Sequence, residues 1–308
     1  MSRRRRRGGA ERSGRTFPGC SRGPVGVRVP AGARPARRFG VVGWCCLGLA
    51  LLVLGLALLG PALAGGSPTA RVGVPFAPPG PGLPLGTDFL GRDLTARLLH
   101  GGWAVLAPAV GATALATLVG TVGGVWLGLV AERAGELLMR GVDLLAVFPS
   151  LLLLLLLAAG APDSDAAVLL AVALATAPFS LRVVRAATRQ VAATGYLLTA
   201  RARGDGWAGV VRHDVLPNIA GTVLADAGTR FVAAVHLTAT AGFLGLGQGA
   251  PAANWGRMIR ENLAGTTLNP LPVLLPTALL AAFAVAVNLL ADRLAERRVG
   301  PEPAWSDR

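Results

Sequence analysis

Six stretches of this sequence are long, apolar and almost free of charged residues, and they constrain the fold more than any other feature. A bilayer core of about 30 Å is crossed by about 20 helical residues. Hydrophobic residues make up 53% of the chain and charged residues only 15%, so the chain is more apolar than a soluble domain. We predict an all-α integral membrane protein with six transmembrane helices. The six stretches cover residues 41–64, 101–131, 144–162, 166–181, 217–242 and part of 262–291.

The arginines are distributed unevenly between the loops that these spans define. With the N-terminus inside, the predicted cytoplasmic segments hold 24 arginines and the external segments hold 5, while Arg230 lies within a span. Basic residues concentrate on the cytoplasmic side of membrane proteins. The distribution therefore predicts that both termini are cytoplasmic.

The chain divides into four parts at these boundaries. They are a cytoplasmic tail (1–39), the first helix with an extracytoplasmic segment (40–99), a core of five helices (100–298) and a second cytoplasmic tail (299–308). The first tail holds twelve arginines among Gly, Pro and Ser, which predicts disorder. Such a tail could bind nucleic acid, but the apolar span that follows favours contact with anionic membrane lipid. A cleaved signal peptide is the alternative for the first span, since Ala62-Leu63-Ala64 resembles a cleavage site.

Several kinds of chemistry are excluded by the composition. No lysine occurs in the chain, which excludes a Walker A phosphate loop and Schiff-base catalysis. If ATP and magnesium drive this protein, another subunit binds them. The predicted topology places His100 outside, His213 inside and His236 within the membrane, so these side chains cannot converge. We therefore predict no catalytic residue, no metal site and no cofactor in this chain.

The fifth predicted span carries two charged residues. Asp226 and Arg230 are four residues apart, and His236 lies further along the same stretch. This spacing puts the two charges on one face of a helix, where they can pair. Ionisable groups at membrane depth usually face a bundle interior or a water-filled path. Two interpretations are open, a structural ion pair and a part of a transport pathway, and an ion-coupled secondary transporter is the alternative function.

The predicted external segment before the second span reads LGTDFLGRD over residues 85–93. Loop-fixing hydrogen bonds explain its carboxylates better than acid–base catalysis. Distinctive segments also occur at 139–150, which contains MRGVD and FPS, and at 242–256, which contains GFLGLG and NWG. The candidate residues of the external motif are Gly86, Thr87, Asp88, Gly91, Arg92 and Asp93.

The predicted cytoplasmic stretch 196–218 reads YLLTARARGDGWAGVVRHDVLPN. Gly204 and Gly206 predict that one helix stops and another restarts. A short helix is predicted at 207–213, and Pro217 then starts the fifth span, where its missing N–H is tolerated.

Taken in order, these segments resemble the motifs of ABC importer permeases of the dipeptide/oligopeptide/nickel transport family, over roughly residues 40–298. The external motif is similar to that family's LGTDxxGRD segment, and residues 196–218 are similar to its EAA loop. The loop departs from the pattern, because Leu198 replaces the expected glutamate and Thr199 replaces an alanine. The spacing from Gly204 to Pro217 is retained.

The resemblance implies a type I permease-like bundle with a cytoplasmic coupling helix. The implied function is ATP-driven import of a small solute, a di- or oligopeptide or else nickel or its chelate. The implied partners are a second homologous permease, two cytoplasmic ATPase subunits that bind ATP and Mg, and an extracytoplasmic solute-binding protein. The residues implied to couple to the ATPases are Tyr196, Ala200, Arg201, Arg203, Gly204, Trp207, Val210, Val211, Leu216 and Pro217.

The predicted orientation can be tested with topology reporters. A reporter fused after Arg298 should behave as cytoplasmic, and one inserted near Gly80 should behave as external, because of the asymmetry in arginine content. A cytoplasmic signal from the insertion near Gly80 would contradict the six-span arrangement.

Overall fold

The structure is a computed structural model that describes residues 41–130, 132–194, 206–249 and 251–298. The predicted tails, 1–39 and 299–308, lie outside the described residues. Within the described part the secondary structure is helical, with three isolated β-bridges in the segment between the first two helices. The helices are α1 (Val41–Leu63), α2 (Leu94–Gly101), α3 (Trp103–Leu129), α4 (Glu132–Val147), α5 (Ser150–Gly160), α6 (Asp165–Ala192), α7 (Trp207–Gly209), α8 (Leu216–Leu244), α9 (Trp255–Asn262) and α10 (Leu271–Arg298).

Helices occupy all six predicted stretches, but they differ in how well they suit a bilayer. Among the described residues, four helical segments are long and apolar enough to cross a membrane, namely Gly43–Leu63, Leu94–Leu129, Asp165–Ala192 and Leu271–Leu290. The number becomes five if the bent pair α4 and α5 counts as one span. The fourth predicted stretch, which is short for a span, belongs to a helix of 28 residues that continues beyond Arg182. The count of six spans stays a prediction.

The third predicted span is not one straight helix. α4 ends at Val147, α5 begins at Ser150, and the two axes are bent by 80°. Pro149 explains the break, because its ring and missing N–H cannot continue a helix and its own backbone is extended (φ −58°, ψ 123°). With 11 residues, α5 alone is too short for a bilayer core.

α3, α6 and α8 pack against one another and form the centre of the bundle. The contact between α3 and α6 is close because glycines on α3 face α6. A Cβ at Gly120 would approach the Ser180 side chain, and a Cβ at Gly124 would approach Val184. Small residues allow such close helix contacts in membranes, where dispersion forces replace the hydrophobic effect.

A second set of contacts closes the bundle around this centre. α1 packs against α10, and α9 packs against α8 and α10. Trp255 at the start of α9 is almost fully buried, and its indole N–H donates to the carbonyl of Leu98 at 2.7 Å. This bond joins α9 to α2, so the predicted external segments meet at one end of the bundle.

The chain enters α8 through a π-helical turn, Val210–Val215, that follows α7 directly. The restart predicted after Gly206 is confirmed, because helix begins at Trp207. The short helix predicted at 207–213 is present, but it runs without a break into α8. Pro217 accounts for the widened turn, since it has no N–H to donate and its ring would crowd the carbonyl four residues earlier.

The close packing of α3 on α6 gives a test with a matched control. At Gly124 an added Cβ would lie 2.7 Å from the Val184 Cβ and 2.9 Å from a backbone nitrogen, whereas at Gly141 it meets nothing within 4 Å. We expect Gly124→Ala to lower the free energy of unfolding by about 1–3 kcal/mol through overpacking. Gly141→Ala should leave it unchanged or raise it by up to about 1 kcal/mol through helix propensity. Thermal unfolding of the purified subunit in detergent measures both, and equal effects would contradict the close contact.

Candidate functional site

The predicted external segment folds back on itself through the residues of its motif. Thr87 is buried, and its hydroxyl donates to the Val74 carbonyl at 2.6 Å and accepts from the Ala77 N–H at 2.8 Å. Gly86 and Gly91 have φ of 77° and 76°, and a Cβ at either position would overlap a backbone carbonyl. These two positions require glycine because both the conformation and the space exclude a side chain.

Asp88 in this motif is fully buried and is bound by two arginines. Its carboxylate accepts from the Arg92 backbone N–H at 2.9 Å and from the Arg92 Nε at 2.7 Å, and it forms an ion pair with Arg97 Nη1. Glu261 on α9 lies 3.0 Å from Arg97 Nη2 and 3.4 Å from Arg92 Nη2. This charged cluster therefore ties the external segment to α2 and α9.

The two acidic residues of the motif have different surroundings. Burial by itself raises the pKa of the Asp88 carboxyl, but the hydrogen bonds from the Arg92 backbone N–H and from Arg97 outweigh it. The pKa of Asp88 therefore lies below its ordinary value, and the group is ionised at neutral pH. Asp93 caps α2 by accepting from the Thr95 N–H at 2.9 Å. Both carboxylates thus make the loop-fixing hydrogen bonds that were predicted for them.

Sequence reasoning missed the contribution of α9 to this cluster. Glu261 and Asn262 are more than 160 residues from the motif, and Asn262 Oδ1 accepts from the Phe89 N–H at 2.9 Å. No local spacing connects residues so far apart in the chain. The sequence does contain a local signal for the start of α9. Asn254 precedes Trp255 as an N-cap, and its side chain accepts from the N–H groups two and three residues later.

Within α8 the predicted pairing of Asp226 with Arg230 is confirmed. Arg230 Nε donates to Asp226 Oδ1 at 3.1 Å, and the Ser180 hydroxyl of α6 donates to Asp226 Oδ2 at 2.5 Å. The Arg230 guanidinium also lies over the Phe179 ring, 5.4 Å from its centroid. The buried carboxylate therefore has partners on both oxygens and joins α8 to α6. Ser180 was missed, since nothing in the sequence indicates which α6 residue faces Asp226.

One face of α8 is polar yet exposed. Thr222, Thr229 and His236 recur at helical spacing on that face, and all three are exposed. His236 therefore does not join the Asp226–Arg230 pair. Among the described residues, no three His, Cys, Asp or Glu side chains form a group that could hold a metal ion.

An open, groove-like cavity of about 520 Å³ lies between α3 and α8. Threonines at 113, 117 and 121 of α3 line it, together with Phe231 of α8. The hydroxyls of Thr117 and Thr121 have no hydrogen-bond partner within the described part of the chain. The cavity is otherwise apolar, lined by Val110, Ala114, Leu118 and Ala227.

At the predicted cytoplasmic end, the residues that were predicted to couple to the ATPases differ in their exposure. Trp207 is exposed and Val211 is half-buried, and Leu216 and Pro217 are also exposed. Val210, in contrast, is buried against Val125, Val184, Val215 and Ile219. Its prediction as a docking contact is corrected, because a side chain in this cluster cannot reach a partner. Tyr196, Ala200, Arg201, Arg203 and Gly204 lie outside the described residues.

Comparison with known proteins identifies the family. The family described as "Binding-protein-dependent transport system inner membrane component" matches residues 120–300. The chain belongs to this family. It is a permease subunit of an ABC importer and a multi-pass protein of the inner membrane. The predicted recognition is thereby confirmed.

Curated relatives place this permease in the peptide branch. The di/tripeptide transport system permease protein DppC of Pseudomonas aeruginosa is 32% identical over 68% of this chain and 69% of its own. The peptide transport system permease protein SapC of Escherichia coli O6:H1 is 34% identical over 68% of this chain and 70% of its own. The glutathione transport system permease protein GsiD of Pectobacterium atrosepticum is 31% identical over the same shares.

A solved structure supports the fold of the permease. The MetNI methionine ABC transporter in an inward-facing conformation matches with a TM-score of 0.55 and 20% sequence identity, over 66% of this chain and 96% of that one. The likeness confirms a type I importer permease fold. The alternative of an ion-coupled secondary transporter is not supported by these findings, and none of the three relatives above is named for nickel.

The ion pair in α8 gives a test of the buried network. Asp226→Ala should lower the amount of permease in the membrane more than the double variant Asp226→Ala/Arg230→Ala. The single change leaves an uncompensated charge among buried groups, whereas the double change leaves a packing defect. The amount of subunit in isolated membranes is the measurement. Additive losses would show that the two side chains do not interact.

Proposed function

We propose that this permease is one of two membrane subunits of an importer for di- or oligopeptides. The observation that carries the proposal is the identity of 31–34% to permeases named for peptide and glutathione transport. In this assembly a second, homologous permease completes the membrane path, and a solute-binding protein delivers the peptide outside. Two ATPase subunits bind ATP and Mg in the cytoplasm, and both termini of this chain lie on that side.

The exposed polar face of α8 supports a place for this helix beside the transport path. His236 would be costly against lipid, and together with Thr222 and Thr229 it suits a water-filled path or the facing helix of the second permease. The pair of Asp226 and Arg230 lies on a neighbouring face and holds α8 against α6. In this proposal the pair positions the polar face and does not itself relay protons.

The cytoplasmic end of α8 supports the coupling role. α7, the π-helical turn and α8 form one continuous helical segment, and Val210 and Val215 anchor its start on α3 and α6. A push on the exposed Trp207 would therefore be transmitted along α8 to the polar face. Closure of the ATPases would move the bundle between inward- and outward-facing states by rigid-body motion.

The departure from the EAA pattern limits which residues can bind the ATPase. Leu198 stands in the place of the glutamate, so docking cannot use that carboxylate. Trp207 offers a large apolar surface instead, and Arg201 and Arg203, a few residues earlier in the sequence, supply positive charge. We infer a partner ATPase whose docking surface has an apolar cleft with acidic residues beside it.

A tryptophan exchange tests the docking. Trp207 and Trp103 are exposed to almost the same extent, 52% and 53%, but they lie near opposite ends of the bundle. Trp207→Ala should weaken retention of the ATPase subunits on the purified complex at least about tenfold, as expected when an anchoring aromatic is removed. Trp103→Ala should leave retention unchanged. The measurement is the ratio of ATPase to permease after affinity purification, followed by peptide-stimulated ATP hydrolysis.

Two outcomes would overturn parts of this proposal. Equal retention of the ATPases by both variants would remove Trp207 from the docking surface. A purified complex without any ATPase subunit, in the unaltered protein, would contradict the importer assembly itself.

A further inference from the structure

The charged cluster around Asp88 contains more positive than negative charge. Arg92 and Arg97 are paired with Asp88 and Glu261, so two positive charges are balanced by two negative charges. A third arginine, Arg257, lies on α9 and is only 5% exposed. Among the described residues its side chain has no hydrogen bond or ion pair, and its Nη1 is buried without a partner. A buried guanidinium with no bound anion is costly.

The neighbours of Arg257 do not supply the missing anion. Glu261 lies one turn further along α9, but it already pairs with other arginines, and the exposed Asp163 attracts Arg257 without forming an ion pair or a hydrogen bond with it. Burial and the nearby charges of Arg260 and Arg97 lower the pKa of Arg257, against the attraction of Glu261 and Asp163. An arginine stays protonated in proteins, so the unmatched charge persists.

The position and shape of this side chain favour a carboxylate. Arg257 lies in the first turn of α9, an eight-residue helix, where the helix dipole adds to the attraction for an anion. The planar guanidinium matches the two oxygens of a carboxylate. Because so little of the residue is exposed, a small solute group suits it better than a broad protein surface.

We propose that Arg257 is the extracytoplasmic binding site for the free carboxylate of the peptide solute. The site itself rests on the unpartnered guanidinium, while the solute rests on the proposed function. A peptide that arrives from outside would place its carboxylate on Arg257 before it moves along α8. The bound carboxylate would then balance the third arginine of the charged cluster.

A thermal unfolding experiment tests the site without knowledge of the solute. The assembled transporter in detergent is titrated with sodium acetate against sodium chloride at equal ionic strength. The unfolding midpoint of the unaltered protein should rise saturably by about 2 °C or more in acetate. Arg257→Gln should abolish this rise. Arg71→Gln is the control, because it removes an exposed arginine of the same predicted external side, and it should respond like the unaltered protein.

The same variants in chloride separate a binding role from a structural one. Arg257→Gln should unfold at the same or a higher temperature than the unaltered protein, because it removes an unpaired buried charge. Arg97→Gln should unfold at a lower temperature, because it strips Asp88 and Glu261 of a partner. A loss in Arg257→Gln as large as that in Arg97→Gln would overturn the proposal, as would an unaltered protein that does not respond to acetate.

A second titration identifies the source of the carboxylate. Alanylalanine should raise the unfolding midpoint of the transporter in the absence of the solute-binding protein. Alanylalanine amide, which has no free carboxylate, should require an at least about tenfold higher concentration for the same rise. If alanylalanine has no effect although acetate acts through Arg257, assignment to the solute is overturned. Failure of the importer assembly would show separately, as the absence of ATPase subunits from the purified complex.

Discussion

The close contact of α3 with α6 is the interaction on which the remaining arrangement depends. Gly120 lets the two helices approach at the level of Ser180, and Ser180 in turn reaches Asp226 on α8. One turn along α3, Gly124 gives the same close approach beside the buried cluster that holds Val210. A single helix–helix contact therefore positions both the ion pair in α8 and the π-helical turn that starts the proposed coupling segment.

Buried charges are paired completely at Asp226 in α8 but incompletely beside the charged cluster around Asp88. Inside α8 each oxygen of Asp226 has a donor, so the carboxylate is satisfied and rigidly held. In the charged cluster around Asp88, Arg92 and Arg97 pair with Asp88 and Glu261, whereas the nearby Arg257 side chain has no hydrogen-bond partner in the described part of the chain. A satisfied pair contributes to the packing of helices, whereas an excess charge leaves affinity for a further anion.

Local features of this permease could be predicted from the sequence because their causes are local. The helical stretches follow from runs of apolar residues, and the pair of Asp226 and Arg230 follows from a four-residue spacing. The cap at Asp93 and the restart after Gly206 follow from short-range hydrogen bonding and from backbone freedom. The sharp bend at Pro149 also has a local cause, but the apolar run after it led to the prediction of one continuous span over residues 144–162.

Other features depend on contacts between residues far apart in the chain. Glu261 enters the charged cluster from α9, and Ser180 enters the ion pair from α6. The burial of Val210, which contradicts its predicted docking role, depends on the position of α3 and α6 under the π-helical turn.

The sequence by itself determined the helical membrane architecture, the motifs of the family and the pairs within one helix. Apolar length, proline and glycine placement and helical spacing act over a few residues, so these features need no knowledge of the fold. Only the tertiary structure decided which charges are matched. The balance around Arg257 depends on which carboxylates α2, α9 and the predicted external segment bring together, and these contacts join residues that are far apart in the sequence.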